Sequence, residues 1–355
     1  IKRIMAYSTI PKSSSYFNPK AYTGTGSSNA LTGVGFEPSF TWIKSRSNSY
    51  SHTLTDAVRG VTKHNASNNS NVEYTSTTEI TSFDSDGFTV GTDSGVNNNG
   101  STFASWNWKA GTAVSGATTG SGTAKTYTGS VNTTAGVSII RYTGNSASGH
   151  QIPHRLGVAP KMIIVKCLNQ AQTWTVYHQS LGSGTPQNYW LHLDTTDAQI
   201  SGLGIWNNTA PNATNFTVGD SDNVNGGLNY VAYCFANIQG YSKFGSYVGN
   251  GNANGSFIYT GFKPAFVMSK YASGGGTGSW HMYDNKRKGY NTENDYVQAN
   301  TTSSENSDTD QVDLLSNGFK WRANGSETNT NGGTFIYMAF GQPIVSTNGD
   351  IATAR

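Results

Sequence analysis

An internal repeat constrains the fold of this chain more than any other feature, because self-similarity at a long period means that one structural unit recurs. The period is roughly 105–120 residues, far longer than that of a solenoid repeat. Each copy opens with a tyrosine followed two residues later by a glycine; these openings are Tyr22-Thr23-Gly24, Tyr142-Thr143-Gly144 and Tyr247-Val248-Gly249. A proline then precedes an apolar run, as expected where a strand begins. These prolines are Pro38, Pro160 and Pro264.

Each copy closes with a long hairpin. Its tip is rich in Asn and Gly, which tolerate the positive φ that tight turns need. Its second strand is apolar on both faces, as expected for a central strand that is buried on both sides. These closing strands lie at residues 103–108, 230–235 and 335–340. We expect the residues that end them to take equivalent buried positions; these residues are Trp108, Phe235 and Phe340.

The repeat unit is predicted to be a β-sandwich. No segment keeps a 3.6-residue apolar period over a helix-sized window, and short apolar runs alternate with turn signals. Aromatic residues make up 12% of the chain, which suits twisted sheets joined by many turns. A unit of about 100 residues can bury its own core. The sequence therefore predicts an all-β fold of three tandem β-sandwich repeat domains, jelly-roll or lectin-like, rather than one three-bladed object.

Composition sets the predicted domain boundaries. Residues 113–135 carry few large apolar side chains and are predicted to form a Gly/Ser/Thr linker. The short, aromatic-containing join at 239–244 predicts that the second and third domains pack rigidly together. The full division is an N-terminal leader or docking segment at 1–20, repeat 1 at 21–112, the linker at 113–135, repeat 2 at 136–240, repeat 3 at 241–341 and a C-terminal tail at 342–355.

Charge and hydropathy limit the partners. Charged residues make up 12% of the chain, and the net charge is +3 without a basic run, so no nucleic-acid surface is expected. No apolar run reaches about 18 residues, so no membrane span is predicted. Cys167 and Cys234 lie in apolar strand-like runs and are interpreted as buried thiols, with a single disulfide as the alternative.

Few polar residues form a pattern that carries chemistry. Asp84 and Asp86 resemble the start of a calcium loop, but no bidentate acid follows at the required spacing. The other two copies lack this carboxylate pair, at 212–215 and 315–318, so a turn is favoured over a metal site. Acids are few and lie mostly in turns, and neither a nucleophile elbow nor a phosphate loop is present. The chain is therefore predicted to be non-enzymatic and to need no cofactor.

Carbohydrate binding is the small-ligand function that the composition favours. Sugars stack their apolar faces on exposed aromatic rings and form hydrogen bonds with Asn, Asp and backbone groups, and this chain is rich in both kinds of residue. The candidate stacking residues are Trp190, Trp206, Trp280, Tyr290 and Tyr296. The alternative is that these rings lie in a core or an interface, since sandwich cores also use aromatic side chains.

Several motifs together resemble a known family. They are Ile10-Pro11-Lys12-Ser13-Ser14-Ser15-Tyr16-Phe17, the Tyr-Thr-Gly turn, Gly35-Phe36-Glu37-Pro38, Ser85-Asp86-Gly87-Phe88 and Trp106-Asn107-Trp108-Lys109. The chain resembles virion proteins, mostly tail or tail-fibre components, of tailed bacteriophages that infect marine bacteria including cyanobacteria. The likeness covers nearly the whole chain. It implies a location on the virion and carries no catalytic residues with it.

These observations lead to the hypothesis of a structural protein on the virion surface, in a tail fibre or another appendage that contributes to host attachment, with a host cell-surface glycan as candidate ligand. The alternatives are a capsid decoration or assembly protein without receptor binding, and a secreted bacterial lectin-like adhesin. The expected partners are other virion proteins and identical subunits. A homo-oligomer is expected, either a homotrimer, which is favoured, or another ring of identical subunits, because a weakly charged, aromatic-rich surface is poorly soluble unless part of it is covered.

Overall fold

The computed structural model describes residues 8–288, 291, 295–307 and 311–345. These residues form an all-β fold, as predicted, in which antiparallel strands build a larger and a smaller sheet in each of the three repeats. Within these residues the single α-helix is one turn, α1 (Ser94–Asn97), and no helix is long and apolar enough to cross a membrane. Short 3-10 turns lie at Ser13–Ser15, Gly182–Gly184 and Pro186–Asn188.

Repeat 1 contains the strands β1 (Phe17–Thr23), β2 (Asn29–Leu31), β3 (Phe40–Ser45), β4 (Thr53–Asp56), β5 (Lys63–Asn65), β6 (Tyr74–Thr75), β7 (Ile80–Asp84), β8 (Gly87–Val90) and β9 (Thr102–Trp108). The larger sheet has the strand order β1-β9-β3-β4-β5-β6, and the smaller sheet has the order β2-β8-β7.

Repeat 2 contains β10 (Thr112–Ala117), β11 (Thr119–Gly120), β12 (Thr126–Asn132), β13 (Val137–Thr143), β14 (His150–Pro153), β15 (Met162–Cys167), β16 (Thr175–His178), β17 (Tyr189–His192), β18 (Ile200–Ser201), β19 (Asn215–Val218) and β20 (Asn229–Phe235). Its sheets have the orders β10-β12-β13-β20-β15-β16-β17-β18 and β11-β14-β19. Cys167 and Cys234 are free, buried thiols, as interpreted from the sequence.

Repeat 3 contains β21 (Ser242–Val248), β22 (Phe257–Tyr259), β23 (Phe262–Ser273), β24 (His281–Asp284), β25 (Val297–Gln298), β26 (Val312–Leu315), β27 (Gly318–Trp321) and β28 (Thr334–Pro343). Its sheets have the orders β21-β28-β23-β24-β25 and β22-β27-β26.

The larger sheets share one arrangement. In each, the strand that closes the repeat lies between the opening strand and the strand after the proline, as in β1-β9-β3, β13-β20-β15 and β21-β28-β23. The register agrees too, since Trp108 pairs with the first residue of β1, and Phe235 and Phe340 with the first residues of β13 and β21. All three side chains are at most 1% exposed, which confirms their predicted equivalent buried positions.

The tyrosine-glycine signature joins the opening strand to the tip of the closing hairpin. Tyr142 stacks on Tyr230 with ring centroids 5.1 Å apart, and its hydroxyl donates a hydrogen bond to Val224 O. A Cβ atom on Gly144 would lie 2.0 Å from Gly226 O, so the close approach of two backbone segments requires glycine there. Repeats 1 and 3 contain the same stacking and the same close approach.

A buried asparagine completes this contact in every repeat. Asn225 is fully buried; its Oδ1 accepts a hydrogen bond from Asn145 N, and its Nδ2 donates to Gly219 O over 2.6 Å. Asn97 and Asn329 make the equivalent bonds in repeats 1 and 3. The Asn-rich hairpin tips therefore have a structural role beyond turn formation.

The largest core is shared by all three repeats. Each repeat encloses one apolar layer between its own sheets, and the opposite faces of the larger sheets meet in a common cluster. The rings of Trp108, Phe235 and Phe340 meet there, with centroid separations of 6.2, 5.9 and 6.0 Å. Each repeat thus has an inner layer of its own, and the three units are also arranged with approximate three-fold symmetry around one aromatic centre, which the sequence did not predict.

The segment predicted to be a linker belongs to the sheets of repeat 2. Strands β10 and β12 extend the larger sheet beyond β13, and β11 pairs with β14 in the smaller sheet. The linker prediction at 113–135 was therefore wrong. β10 is largely exposed on both faces, so it lacks the apolar alternation by which a half-buried strand is recognised.

The leader is also part of the folded body. Ile10 is fully buried in the shared core, and Phe17, the first residue of β1, stacks on Phe340 with centroids 5.0 Å apart. Residues 8–20 of the predicted leader or docking segment therefore pack within this chain itself. The solubility argument for a homotrimer loses its basis as well, since the largest aromatic side chains are buried within the chain. Gln342 and Pro343, assigned to the tail, belong to β28, and residues 346–355 lie outside the described part.

Candidate ligand-binding cavity

The aromatic residues predicted to stack on sugars are mostly internal. Trp206 and Trp280 are each 1% exposed. The Nε1 of Trp206 donates to Tyr189 O over 3.1 Å, and that of Trp280 donates to His192 O over 2.9 Å. Neither ring offers a face to a ligand, so both predictions were wrong. These rings serve packing and backbone hydrogen bonding, which is the alternative that the sequence left open.

Tyr296, directly before β25 of repeat 3, and Trp190, in β17 of repeat 2, occupy related positions. Tyr296 is 6% exposed and packs against His281, with centroids 4.7 Å apart, so it does not provide a stacking face. Trp190 is half-buried; its Nε1 donates to His192 Nε2 over 3.2 Å, and Gly202 lies against one edge of its ring. Tyr290 lies outside the described residues. The structure therefore does not bring these candidates together in one site.

The acidic pair predicted as a weak metal candidate braces turns. The carboxylate of Asp86 accepts hydrogen bonds from Gly33 N and Gly35 N at 2.9 and 2.7 Å, and these bonds lower its pKa. Asp84 accepts a hydrogen bond from the hydroxyl of Thr89. In the part of the chain that the structure describes, no three His, Cys, Asp or Glu side chains come close enough to hold a metal ion.

Ring nitrogens at one repeat position tie neighbouring repeats together. His52, Trp174 and Trp280 are equivalent residues, and each donates to a backbone carbonyl in another repeat. The pairs are Trp174 Nε1 with Ala66 O at 2.9 Å, Trp280 Nε1 with His192 O at 2.9 Å, and His52 Nε2 with Gln298 O at 3.0 Å. Because repeat 2 donates to repeat 1, repeat 3 to repeat 2 and repeat 1 to repeat 3, the contacts form a closed ring.

The tautomer of His52 follows from this arrangement. Its Nδ1 accepts a hydrogen bond from Trp42 Nε1 over 2.8 Å, so its Nε2 carries the proton that is donated to Gln298 O. Burial lowers the pKa of His52 to about 3. The imidazole is therefore neutral, and its role is to hold two hydrogen bonds of the structure.

Two acid–arginine pairs recur at one offset and lie at the junctions between repeats. Arg59 Nε contacts Asp56 Oδ2 at 2.6 Å, and Tyr233 of repeat 2 donates its hydroxyl hydrogen to the same carboxylate. Arg287 and Asp284 repeat the pairing in repeat 3, where Trp106 Nε1 of repeat 1 donates to Asp284 Oδ2 at 3.0 Å. Both pairs are buried and hydrogen-bonded across a junction.

Three equivalent lysines are fully buried beside these contacts. Desolvation lowers the pKa of Lys44 and Lys166 to about 8, and that of Lys270 to about 7. Lys166 Nζ donates to Ser70 O of repeat 1 over 2.9 Å, and Lys270 Nζ donates to Thr196 O of repeat 2 over 2.8 Å. Lys166 and Lys270 thus bind backbone carbonyls of the adjacent repeat, whereas Lys44 Nζ donates to Ser45 O and Asn48 O of its own repeat.

One cavity of about 380 Å³ lies where repeat 3 meets repeat 1. It separates the segment that leads into β1 from the loop that follows β24, and we name it the 3–1 cavity. Its volume falls in the range of small-molecule sites, roughly 300–1,000 Å³. The lining residues are Pro11, Lys12, Ser13, Ser14, Phe17, Asn18, Ala265, Asn285, Lys286, Gly341, Gln342 and Pro343.

The loop of repeat 3 is fixed in place at this cavity. Asn285 N donates to Ala265 O over 3.1 Å, and Asp284 Oδ1 accepts from Lys286 N over 2.9 Å. On the opposite wall, Phe17 packs on Phe340 of the shared core. The cavity walls therefore belong to the rigid body of the fold, although they come from opposite ends of the chain.

The cavity is positively charged and rich in neutral polar groups. Lys12 lies in the segment that leads into β1 and Lys286 in the loop after β24, and both side chains are exposed. No carboxylate occurs among the residues that line it. Asn285 Oδ1 is buried and accepts no hydrogen bond within the described residues. The site can therefore attract an anionic group and accept hydrogen bonds from a ligand hydroxyl.

The two equivalent junctions lack these features. Ala57 and Gln179 correspond to Asn285, since their amides donate to the matching carbonyls, Ser39 O and Lys161 O. At the junction of repeats 1 and 2, the pocket is lined by alanine, valine, glycine, serine and threonine. At the junction of repeats 2 and 3, the side-chain amide of Gln179 donates to Phe244 O. The charged cavity is thus a departure from the repeat, and comparing the copies position by position would have detected it.

The architecture defines an all-β protein of three equivalent units around one aromatic core, with a polar cavity at one junction. The chain belongs to the family described as Domain of unknown function (DUF7483), whose model matches residues 12–343. That match spans all three repeats, so the family corresponds to the whole assembly and not to a single unit. No curated protein matches the chain. No solved structure matches it either.

Proposed function

We propose that this protein is a structural component of the virion surface of a tailed bacteriophage, in a tail fibre or another appendage, and that it contributes to host attachment by binding a cell-surface glycan. The proposal starts from the motif resemblance to marine phage virion proteins. Its partners are then other virion proteins and identical subunits, and multivalent display strengthens weak contacts through effective concentration.

The 3–1 cavity is the observation that carries the binding part of the proposal. It combines a volume suited to a small ligand with fixed walls, two lysines and several hydroxyl and amide groups. The proposal is for binding without catalysis, because hydrolysis of a glycosidic bond uses two carboxylates facing one cleft. The residues that line this cavity include none.

A capsid decoration role is the second candidate, and the approximate three-fold arrangement of the repeats favours it. A single chain with three equivalent faces fits a partner surface that itself has three-fold symmetry, because each repeat can make a related contact. Under this alternative the shared core provides rigidity, and the 3–1 cavity has no part in attachment.

Labelling of phage particles separates these candidates. Gold-conjugated antibodies against the purified chain should label the tail or its appendages in electron micrographs, and excess purified chain should lower adsorption of the phage to host cells. Label on the capsid, with unchanged adsorption, would favour decoration. Absence of the chain from purified particles by mass spectrometry would reject both virion roles.

A further inference from the structure

The charge of the 3–1 cavity points to an anionic ligand. Lys12 and Lys286 approach it from two different segments of the chain, and no lining carboxylate offsets them. The equivalent of Lys286 is Val58 in repeat 1 and Ser180 in repeat 2, so the shared fold does not require a cation at this position. A lysine pair without lining acids is suited to bind a single carboxylate group.

The neutral groups of the cavity point to a ligand with hydroxyl groups. Asn285 Oδ1 is a buried acceptor without a donor in the described part of the chain. An inorganic anion at neutral pH is mainly an acceptor and leaves such an atom unsatisfied, whereas a sugar hydroxyl can donate to it. Ser13 and Gln342 line the same cavity and provide both donors and acceptors.

The cavity also has an apolar wall. Pro11, Ala265 and Pro343 contribute to its lining, and of these Pro11 is exposed and Ala265 is half-buried. Sugar rings present C–H faces that pack on such surfaces, while their hydroxyls bond at the rim. One ligand chemistry satisfies all three observations, namely a pyranose ring that carries a carboxylate.

We propose that the 3–1 cavity binds a carboxylated sugar, such as a uronic acid unit of an acidic cell-surface polysaccharide. This inference rests on the proposed attachment function only for its biological context. The lysines hold the carboxylate, Asn285 accepts from a ring hydroxyl, and Pro11 with Ala265 contacts the ring. At the other two junctions Val58 or Ser180 replaces Lys286, and Ala57 or the hydrogen-bonded Gln179 replaces Asn285, so one chain binds one sugar at this position.

Binding to the purified full chain tests the proposal directly. Titration calorimetry or saturation-transfer NMR should show that glucuronate and galacturonate bind at least about fivefold more tightly than glucose and galactose at equal ionic strength. The double variant Lys12→Gln, Lys286→Gln should abolish this preference. Lys286→Val, which introduces the residue that repeat 1 has at this position, should lower the preference for uronates. Its circular dichroism spectrum should match that of the parent, which shows that the fold is intact. Lys125→Gln, in repeat 2 away from the cavity, is the matched control and should bind as the parent does.

Further variants and competitors separate sugar recognition from simple attraction of anions. Asn285→Ala should lower the affinity for uronates and for neutral sugars by a similar factor. Inorganic phosphate should compete only weakly with uronate for the cavity. Equal binding of acidic and neutral sugars, binding unchanged in the double variant, no detectable uronate binding, or displacement by phosphate as strong as by uronate would each overturn the proposal. Uronate binding by a chain absent from particles would reject the virion role alone, whereas a virion protein without uronate binding would reject this inference alone.

Discussion

Tyr233 of repeat 2 donates its hydroxyl hydrogen to Asp56 Oδ2 of repeat 1 across 2.8 Å, and Arg59 binds the same carboxylate oxygen. All three groups are buried. The bond therefore links two repeats through a desolvated charge, where a missing partner is costly. It is one member of the ring of contacts that closes the assembly.

Removal of this hydroxyl should destabilise the protein measurably. We expect Tyr233→Phe to lower the free energy of unfolding by about 1.5–3 kcal/mol, because a hydrogen bond to a buried charged group is lost. Urea denaturation followed by tryptophan fluorescence measures it. Tyr50→Phe, in the loop after β3, is the control and should change stability by less than about 0.5 kcal/mol. An unchanged midpoint for Tyr233→Phe would mean that the junction relaxes without cost.

The aromatic centre should behave as one packed unit. Trp108→Ala should cost about 3–5 kcal/mol of unfolding free energy because it leaves a cavity in a core shared by three repeats. Trp108→Phe, which introduces the residue of the other two repeats, should cost less. With Phe340→Ala the effect should be less than additive, since the two rings lie 5.9 Å apart and border the same space.

The control for the aromatic centre is Leu203→Ala, at a side chain that is 61% exposed. It should change the unfolding free energy by less than about 0.5 kcal/mol. Fully additive effects of Trp108→Ala and Phe340→Ala would contradict a common centre.

The buried lysines should make the protein more stable as the pH rises from about 8 to 9.5. Their folded pKa values are about 7 to 8, below the unfolded value of about 10.4. In this window the unfolded chain binds more protons than the folded chain, so the free energy of unfolding increases with pH. Each lysine contributes up to about 1.4 kcal/mol per pH unit.

A single substitution isolates this effect. Lys270→Met should reduce the slope of unfolding free energy against pH by roughly a third, since it removes one of three similar groups. Lys125→Met should leave the slope as it is. Denaturant titrations at pH 8.0, 8.75 and 9.5 give both slopes, and a parent protein whose stability falls across this range would disprove the assignment.

The asparagine at the hairpin tip should contribute more to the stability of the fold than is usual for a residue in a loop. Asn225→Ala leaves Asn145 N and Gly219 O without their partner, and each unsatisfied buried group costs about 1–3 kcal/mol. We expect a total loss of about 2–5 kcal/mol and faster hydrogen exchange at the Asn145 amide. Asn71→Ala, at an exposed asparagine, is the control. Retained protection at Asn145 would show that another acceptor replaces the side chain.

Local patterns in the sequence were sufficient to predict the strands and their equivalence. The proline before each apolar run and the Phe-containing hairpins are short-range signals, and the equivalent burial of Trp108, Phe235 and Phe340 follows from them. The apolar character of both faces of the closing strands was also visible. This pattern predicts that both faces are buried inside one sandwich, whereas in the structure one face is buried in the repeat's own layer and the other against the other repeats.

The parts that could not be predicted depend on contacts between distant residues. Nothing near Ala66 marks its carbonyl as the acceptor for Trp174, and the exposed strand β10 has no apolar periodicity. The 3–1 cavity joins Lys12 to Lys286, which are far apart in sequence. Aromatic residues chosen by type alone, such as Trp206, were assigned to the surface because burial depends on these long-range contacts.

The closing of repeat 3 onto repeat 1 has a consequence for synthesis. A ribosome releases β1 and β9 long before β28. The core shared by Trp106, Trp108, Met338 and Phe340 can therefore form only after repeat 3 has been synthesised. Until then the nascent chain exposes aromatic surface and unpaired strand edges, which favour aggregation and chaperone binding. A translation product that stops after repeat 2 lacks the last third of this core. The three units therefore cannot complete their folding one after another, as independent tandem domains can. Folding is complete only when the third unit has emerged from the ribosome.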